Sequence, residues 1–76
     1  MKFVKIVDKY NQTHYIRKSA IADMVCKDYS NVYTEMPLIL PGIQYNLKNN
    51  ICIEELFDTN EHREEVFESM RQELED

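Results

Sequence analysis

Ile43-Gln44-Tyr45-Asn46-Leu47-Lys48-Asn49-Asn50-Ile51-Cys52-Ile53 is the stretch whose reading decides the fold. Ile43, Tyr45 and Leu47 alternate with Gln44, Asn46 and Lys48, and apolar residues resume at Ile51 and Ile53 after two asparagines. Two period-2 runs around an Asn-rich turn predict a β-hairpin. A two-residue loop would set Leu47 opposite Cys52 and turn Ile51 and Ile53 to the polar face. A three-residue loop, Lys48-Asn49-Asn50, pairs Leu47 with Ile51 and Tyr45 with Ile53 on one face. A one-residue slip would expose the whole set, so the three-residue loop is expected. Asn50 then takes the left-handed conformation, which Asn tolerates.

Outward from the hairpin, Lys2 to Asp8 reads as a strand with Val4 and Ile6 on one face and Phe3, Lys5 and Val7 on the other. Lys9 to Gln12 is a polar turn, and Thr13 to Arg17 pairs back as a second strand. A four-residue loop would set Tyr15 opposite Ile6 and His14 opposite Val7. Ser19 to Lys27 reads two ways: a short helical turn at 19–23 capped by Ser19 and followed by extended chain, which is favoured, or a turn and then a strand. Lys27-Asp28-Tyr29-Ser30-Asn31 reads as a turn-rich polar patch, with a strand resuming over Val32 to Glu35.

Met36-Pro37-Leu38-Ile39-Leu40-Pro41-Gly42 cannot be a central strand throughout, because each proline lacks a donor and holds its predecessor extended. Pro41-Gly42 looks like the centre of a type II turn, with Gly at positive φ. Asp58 to Asp76 is the clearest helix. Asp58 and Glu61 resemble a capping box, and Val66, Phe67, Met70 and Leu74 lie within an arc of roughly 100°, with Arg63 one turn earlier. Phe67 is its expected anchor. The fold class is therefore α+β, a small antiparallel sheet of about four strands with one C-terminal amphipathic helix.

The chain has 76 residues, read as a single domain over 1–76. A domain of this size buries only about 60–65% of its unfolded surface, so help from self-association is expected. No apolar run approaches the roughly 18 residues of a membrane span, and no signal peptide is legible, so a cytoplasmic protein without membrane contact is expected. Cys26 and Cys52 are then reduced, and small core positions suit them.

Charge is unevenly spread. Residues 1–53 carry seven Lys/Arg against four acids, and residues 54–76 carry ten acids against Arg63 and Arg71. Such asymmetry can mark an interaction surface, or simply a solvated face that keeps the protein soluble.

No motif points to catalysis. His14 and His62 lie at no metal-ligand spacing, Gly42 is the only glycine, and no nucleophile has a legible base. A non-enzymatic protein without cofactor or metal is expected. Two surfaces suit a protein partner. One is the apolar segment Tyr29, Tyr33 and Met36 with Leu38, Ile39 and Leu40, since Tyr and Met are enriched at interfaces. Its alternative is that Leu38 and Leu40 plug the core. The other is the acidic face Glu61, Glu64, Glu65 and Glu68, whose carboxylates repel at i,i+4 and could occupy a basic groove meant for phosphates.

Phe3 and Val7, on the second apolar face of the first strand, are the expected self-association positions. The leading expectation is thus a binding or regulatory module acting by contact, as a homo-oligomer. The alternative is an acidic nucleic-acid mimic inhibiting a nuclease or nucleic-acid-binding partner, of the kind found among accessory proteins of phages and mobile elements. A third is weak nucleic-acid binding through Lys9-Tyr10, His14 to Lys18 and Lys27-Asp28-Tyr29, disfavoured by the weak positive field and the acidic tail.

The layout also resembles the small flagellar FlbD-type proteins. The matching residues are Met1 to Ile6, Tyr15-Ile16 with Ile21, Tyr45 to Asn50 and Ile51 to Glu55. The resemblance covers most of the chain as hydrophobic pattern. It implies a small cytoplasmic bacterial regulator and supplies no site residues. Met36–Gly42 has no counterpart in that family, and its hairpin turn is usually Asn-Gly where Asn49-Asn50 stands here.

Overall fold

The β4–β5 hairpin is the frame of the molecule. In the computed structural model, which describes residues 2–31 and 38–75, β4 (Leu38–Leu47) pairs antiparallel with β5 (Cys52–Leu56). Tyr45 faces Ile53, and the Leu47 N–H donates to the Ile51 carbonyl at 2.9 Å. Asn50 sits at φ 68°. The three-residue loop and its register are those that the alternation predicts, because any slip would expose Ile43, Tyr45 and Ile53, all of which are buried.

β1 (Phe3–Val7) and β2 (Thr13–Arg17) form a separate two-stranded sheet. A 3-10 turn (Lys18–Ala20) leads into β3 (Ile21–Asn31), which pairs along β4, so the second sheet has the order β3-β4-β5. The helix α1 (Asn60–Glu75) closes the chain. The architecture is α+β and antiparallel; the described residues form five strands in two sheets where sequence reading expected about four in one.

One core joins these elements: Val4 and Ile6 from β1, Ile21 from β3, Ile43 and Tyr45 from β4, Ile53 from β5, then Phe57, and Met70 from α1. Each such side chain contributes on the order of 1.5–3 kcal/mol on full burial. The sheets meet where the Lys9 N–H donates to the Glu54 carbonyl at 2.8 Å.

The β1–β2 register differs from expectation by one residue. Ile6 faces His14, Val7 faces Thr13, and the loop is the five residues Asp8–Gln12. The reason is local: the Asp8 carboxylate accepts from the Tyr10 and Gln12 N–H groups, both at 2.9 Å, and Asn11 takes φ 62°. An Asx turn of this kind replaces a backbone turn.

Lys27 to Asn31, expected as a polar turn, lies wholly within β3, paired to Gly42, Pro41, Leu40, Ile39 and Leu38. Long-range pairing with β4 overrides the local turn preference. The strand expected over Val32 to Glu35 lies outside the described residues.

Pro41-Gly42 is likewise strand and not turn, and Gly42 has no positive φ. Gly42 is needed for close approach. A Cβ there would lie 2.5 Å from the Tyr29 ring and 2.7 Å from the Glu55 carbonyl oxygen. Pro41 is tolerated because a strand residue projects N and O to one side. Its carbonyl accepts from Phe57 at 2.9 Å, just past the end of β5, so the missing donor faces a strand that has already ended.

The helix starts two residues later than the expected capping box. Thr59 caps it, its Oγ1 accepting from the His62 N–H at 3.1 Å. Met70, not Phe67, is the buried residue of α1, while Val66, Phe67 and Leu74 are partly buried against the core. Met70 joins the core cluster with Val4 and Ile6 of β1 and Ile43 and Tyr45 of β4, and its flexible side chain adapts to such a site. Arg63, within the apolar arc, lays its stem on the core and clamps β3 through Asp28 at 2.9 Å.

Candidate interaction surfaces

Three surfaces stand out once the fold places the side chains. The first is the acidic face of α1. Glu61, Glu64, Glu65 and Glu68 are all exposed and share one side of the helix. Their surroundings differ. Glu68 and Glu75 are held by Arg71 at 2.8 and 2.9 Å, and Glu73 by Lys18 at 2.9 Å. Lys18 holds the Glu73 carboxyl below the usual carboxylate range. Among the described residues no ion pair reaches Glu61, Glu64 or Glu65. The open charge is therefore the N-terminal half of the face.

The second surface is the outer side of the β1–β2 sheet. Phe3 is opposite Arg17 and Lys5 is opposite Tyr15. Tyr15 is 70% exposed and Phe3 46%, with the Arg17 guanidinium 5.5 Å from the Phe3 ring centroid. Val7, also expected at a self-association surface, is only half-exposed, and its N–H points at the Glu55 carboxylate. Phe3 thus stands among cations and Val7 is engaged within the molecule.

The third surface is the β3–β4 ribbon. β5 pairs with β4 only from Gly42 onward, so Asp28–Asn31 and Leu38–Pro41 continue as two strands alone. Ile39 is 67% exposed there. Of the expected partner-binding residues on this segment, Tyr29 is half-buried, its ring over Gly42 and its hydroxyl shut away near Glu54 without closing a hydrogen bond. Burial, then that carboxylate, pushes its phenol pKa up. Tyr33 and Met36 lie outside the described residues. Ile39 carries the exposed apolar contact instead.

Between the β1–β2 turn and the β4–β5 turn lies an open cleft of about 510 Å³, floored by Ile16, Leu47 and Ile53. Its polar rim is already paired. His14 donates Nε2–H to Asp8 at 2.7 Å, and Lys9 meets Glu54 at 3.0 Å. His14 first, and the Gln12 N–H second, hold the Asp8 carboxyl below its ordinary range, and Lys9 does the same for Glu54. Glu55 behaves oppositely. Burial raises its pKa, offset in part by the Tyr45 hydroxyl, which donates at 2.9 Å, and by the Val7 N–H turned toward it.

Cys26 and Cys52 are both exposed free thiols, not core residues. Cys52 is opposite Asn46 on the outer face of the three-stranded sheet, and β3 is an edge strand with nothing laid over Cys26. Among the described residues no three His, Cys, Asp or Glu side chains converge as a metal site requires, and no helix is long and apolar enough to cross a membrane.

These features define a small antiparallel α+β protein with an acidic helix face, a basic-aromatic hairpin face and a projecting ribbon. Comparison with protein families, characterised proteins and solved structures finds no match.

The signal for Ile39 was present in the sequence as the middle of an apolar tripeptide bracketed by Pro37 and Pro41. What could not be read there was that Tyr29 lies over Gly42, while Ile39, on the other face of the ribbon, stays exposed.

Proposed function

We propose that this chain is a small non-enzymatic binding module that works by protein contact and self-associates. The β3–β4 ribbon carries this reading: it runs past β5 with Ile39 two-thirds exposed, while among the described residues the core cluster has eight buried side chains. A domain this small gains from covering such an element. Sedimentation velocity from low to high micromolar concentration tests it. A mass rising above 9.1 kDa with concentration is expected, and a monomer throughout ends the self-association part. The Phe3–Val7 face offers a poorer interface, because a twofold contact there would bring together Lys5 and Arg17 of both copies.

A second reading is favoured by the three unpaired acids. In it the helix docks on a basic groove of a nuclease or another nucleic-acid-binding partner. Replacing Glu61, Glu64 and Glu65 by Gln should weaken such binding and flatten its salt dependence, since exposed charges are screened within about 10 Å at 0.1 M salt. A control pair, Asp23 and Asp28, should matter less. Equal loss from both sets returns the helix to a solvated face. Direct nucleic-acid binding by Lys5, Tyr15 and Arg17 is checked by titration with single-stranded and duplex DNA at low salt.

A further inference from the structure

The ladder of the three-stranded sheet shows which strand groups are unused. The Leu47 N–H bonds to the Ile51 carbonyl and the Phe57 N–H to the Pro41 carbonyl, so odd-numbered residues of β4 turn toward β5. Even-numbered ones turn toward β3, where Asn46, Gln44 and Gly42 oppose Asp23, Val25 and Lys27. Hydrogen-bonded and non-bonded pairs alternate along an antiparallel ladder. Met24, Cys26, Asp28 and Ser30 therefore direct their N–H and C=O groups away from β4. Among the described residues no backbone partner takes them, and β3 is the outer strand of its sheet. An open edge of this length is a template for another strand.

We infer that this edge pairs antiparallel with β3 of a second copy, centred on Val25, to make a continuous six-stranded sheet. The inference rests on the self-association proposed above. The side chains choose the occupant. Asp23-Met24-Val25-Cys26-Lys27 reads acid, three apolar, base. Turned on itself about Val25, it sets Asp23 opposite Lys27 of the second copy and Lys27 opposite its Asp23. Both side chains are exposed on the outer face, and Val25 is 47% exposed between them. Met24 and Cys26 then exchange backbone hydrogen bonds across the axis.

The neighbouring registers are worse. Centring on Cys26 sets Lys27 against Val25 and Asp28 against Met24. Centring on Lys27 sets the two lysines against each other, and like charges directly opposed are destabilising. Only the Val25 register matches opposite charges in pairs. Lys27 bonds to Gln44 and lies over the Tyr29 ring at 5.5 Å, and Asp23 accepts from Asn46; these contacts are exposed, and the new partners can replace the two hydrogen bonds.

Charge reversal and its rescue test the inference on the full chain. Asp23→Lys alone and Lys27→Asp alone should each weaken dimerisation by about tenfold or more, by setting like charges opposite one another. The doubly reversed chain, Asp23→Lys with Lys27→Asp, restores opposite pairs and should return to within about threefold of the starting affinity. Lys48→Asp, away from the edge, is the control and should change nothing. Circular dichroism confirms that each variant folds.

A second measurement uses the axis itself. With Cys26 and Cys52 replaced by Ser, Val25→Cys should oxidise to a covalent dimer, because residues opposite one another in a non-hydrogen-bonded pair lie within disulfide reach. If the wild type dimerises but single reversals leave it intact and Val25→Cys does not cross-link, the edge is refuted while self-association stands. If the wild type is a monomer throughout, both are refuted.

Discussion

The β4–β5 hairpin and the β3–β4 ribbon share a strand yet are held together differently. In the first, Ile43 and Tyr45 are fully buried and Ile53 nearly so, and side-chain burial fixes register. In the second, most residues of β3 are exposed, and the backbone ladder to β4 holds the strand, with Arg63 reaching Asp28 and the Lys27 carbonyl. Register in one is set by the hydrophobic face. In the other it is inherited from β4 and from one ion pair.

The contrast predicts unequal sensitivity to truncation. Ile43→Ala should cost about 2–5 kcal/mol, as a buried large-to-small change does. Val25→Ala on the exposed side of β3 should cost within about 0.5 kcal/mol, the usual range for surface changes. Urea unfolding of both variants checks this, and comparable losses would mean that β3 is covered in solution. Measured at concentrations where the chain is dimeric, Val25→Ala should cost more than at high dilution.

Gly42→Ala sharpens the comparison where the two hairpins meet. The added methyl meets the Tyr29 ring and the Glu55 backbone, so a loss of about 1–3 kcal/mol is expected. Pairing it with Tyr29→Ala should recover part of that loss, because only the ring can give way.

At the helix start, Thr59→Ala should cost about 1 kcal/mol through loss of the cap, whereas Asp58→Ala should be close to neutral. Thermal melting of the two variants distinguishes Thr59 from the Asp58–Glu61 box.

The smallest effect concerns pH. Asp8 ionises below its ordinary 3.8 because of His14 and the loop N–H groups. Its stabilisation is present above that value and lost as pH falls through the lower folded pKa. Glu54 and Glu73 act in the same direction. Glu55 acts oppositely. Its folded pKa is raised above 4.5 by burial, so the stability it contributes is present below 4.5 and declines as pH rises through the folded value. Asp8→Asn should flatten the acid limb of the stability profile, and Glu55→Gln should flatten the decline above pH 4.5. Denaturant titrations between pH 2 and 7 read both.

Sequence alone determined what has a buried face and a period. The alternation at Ile43–Ile53 set a register, the three-residue turn put Asn50 at positive φ, and the spacing of Val66, Phe67, Met70 and Leu74 placed a helix stripe. Alternation also puts Val4 and Ile6 on one face of β1, and the fold buries that face. Burial penalises every alternative there, so local pattern suffices.

Tertiary structure decided the rest. Lys27–Asn31 has the composition of a turn, and only a long partner strand makes it β3. Pro41-Gly42 has the composition of a turn too, but Tyr29 needs a residue without Cβ beneath it, and β5 ends where Pro41 lacks its donor. Tyr29, expected outside, was drawn in. The cysteines, expected inside, were left out because the sheet has one covered face and an open edge. Main-chain pairing and cross-strand contact depend on residues far apart in sequence, and no local period records them.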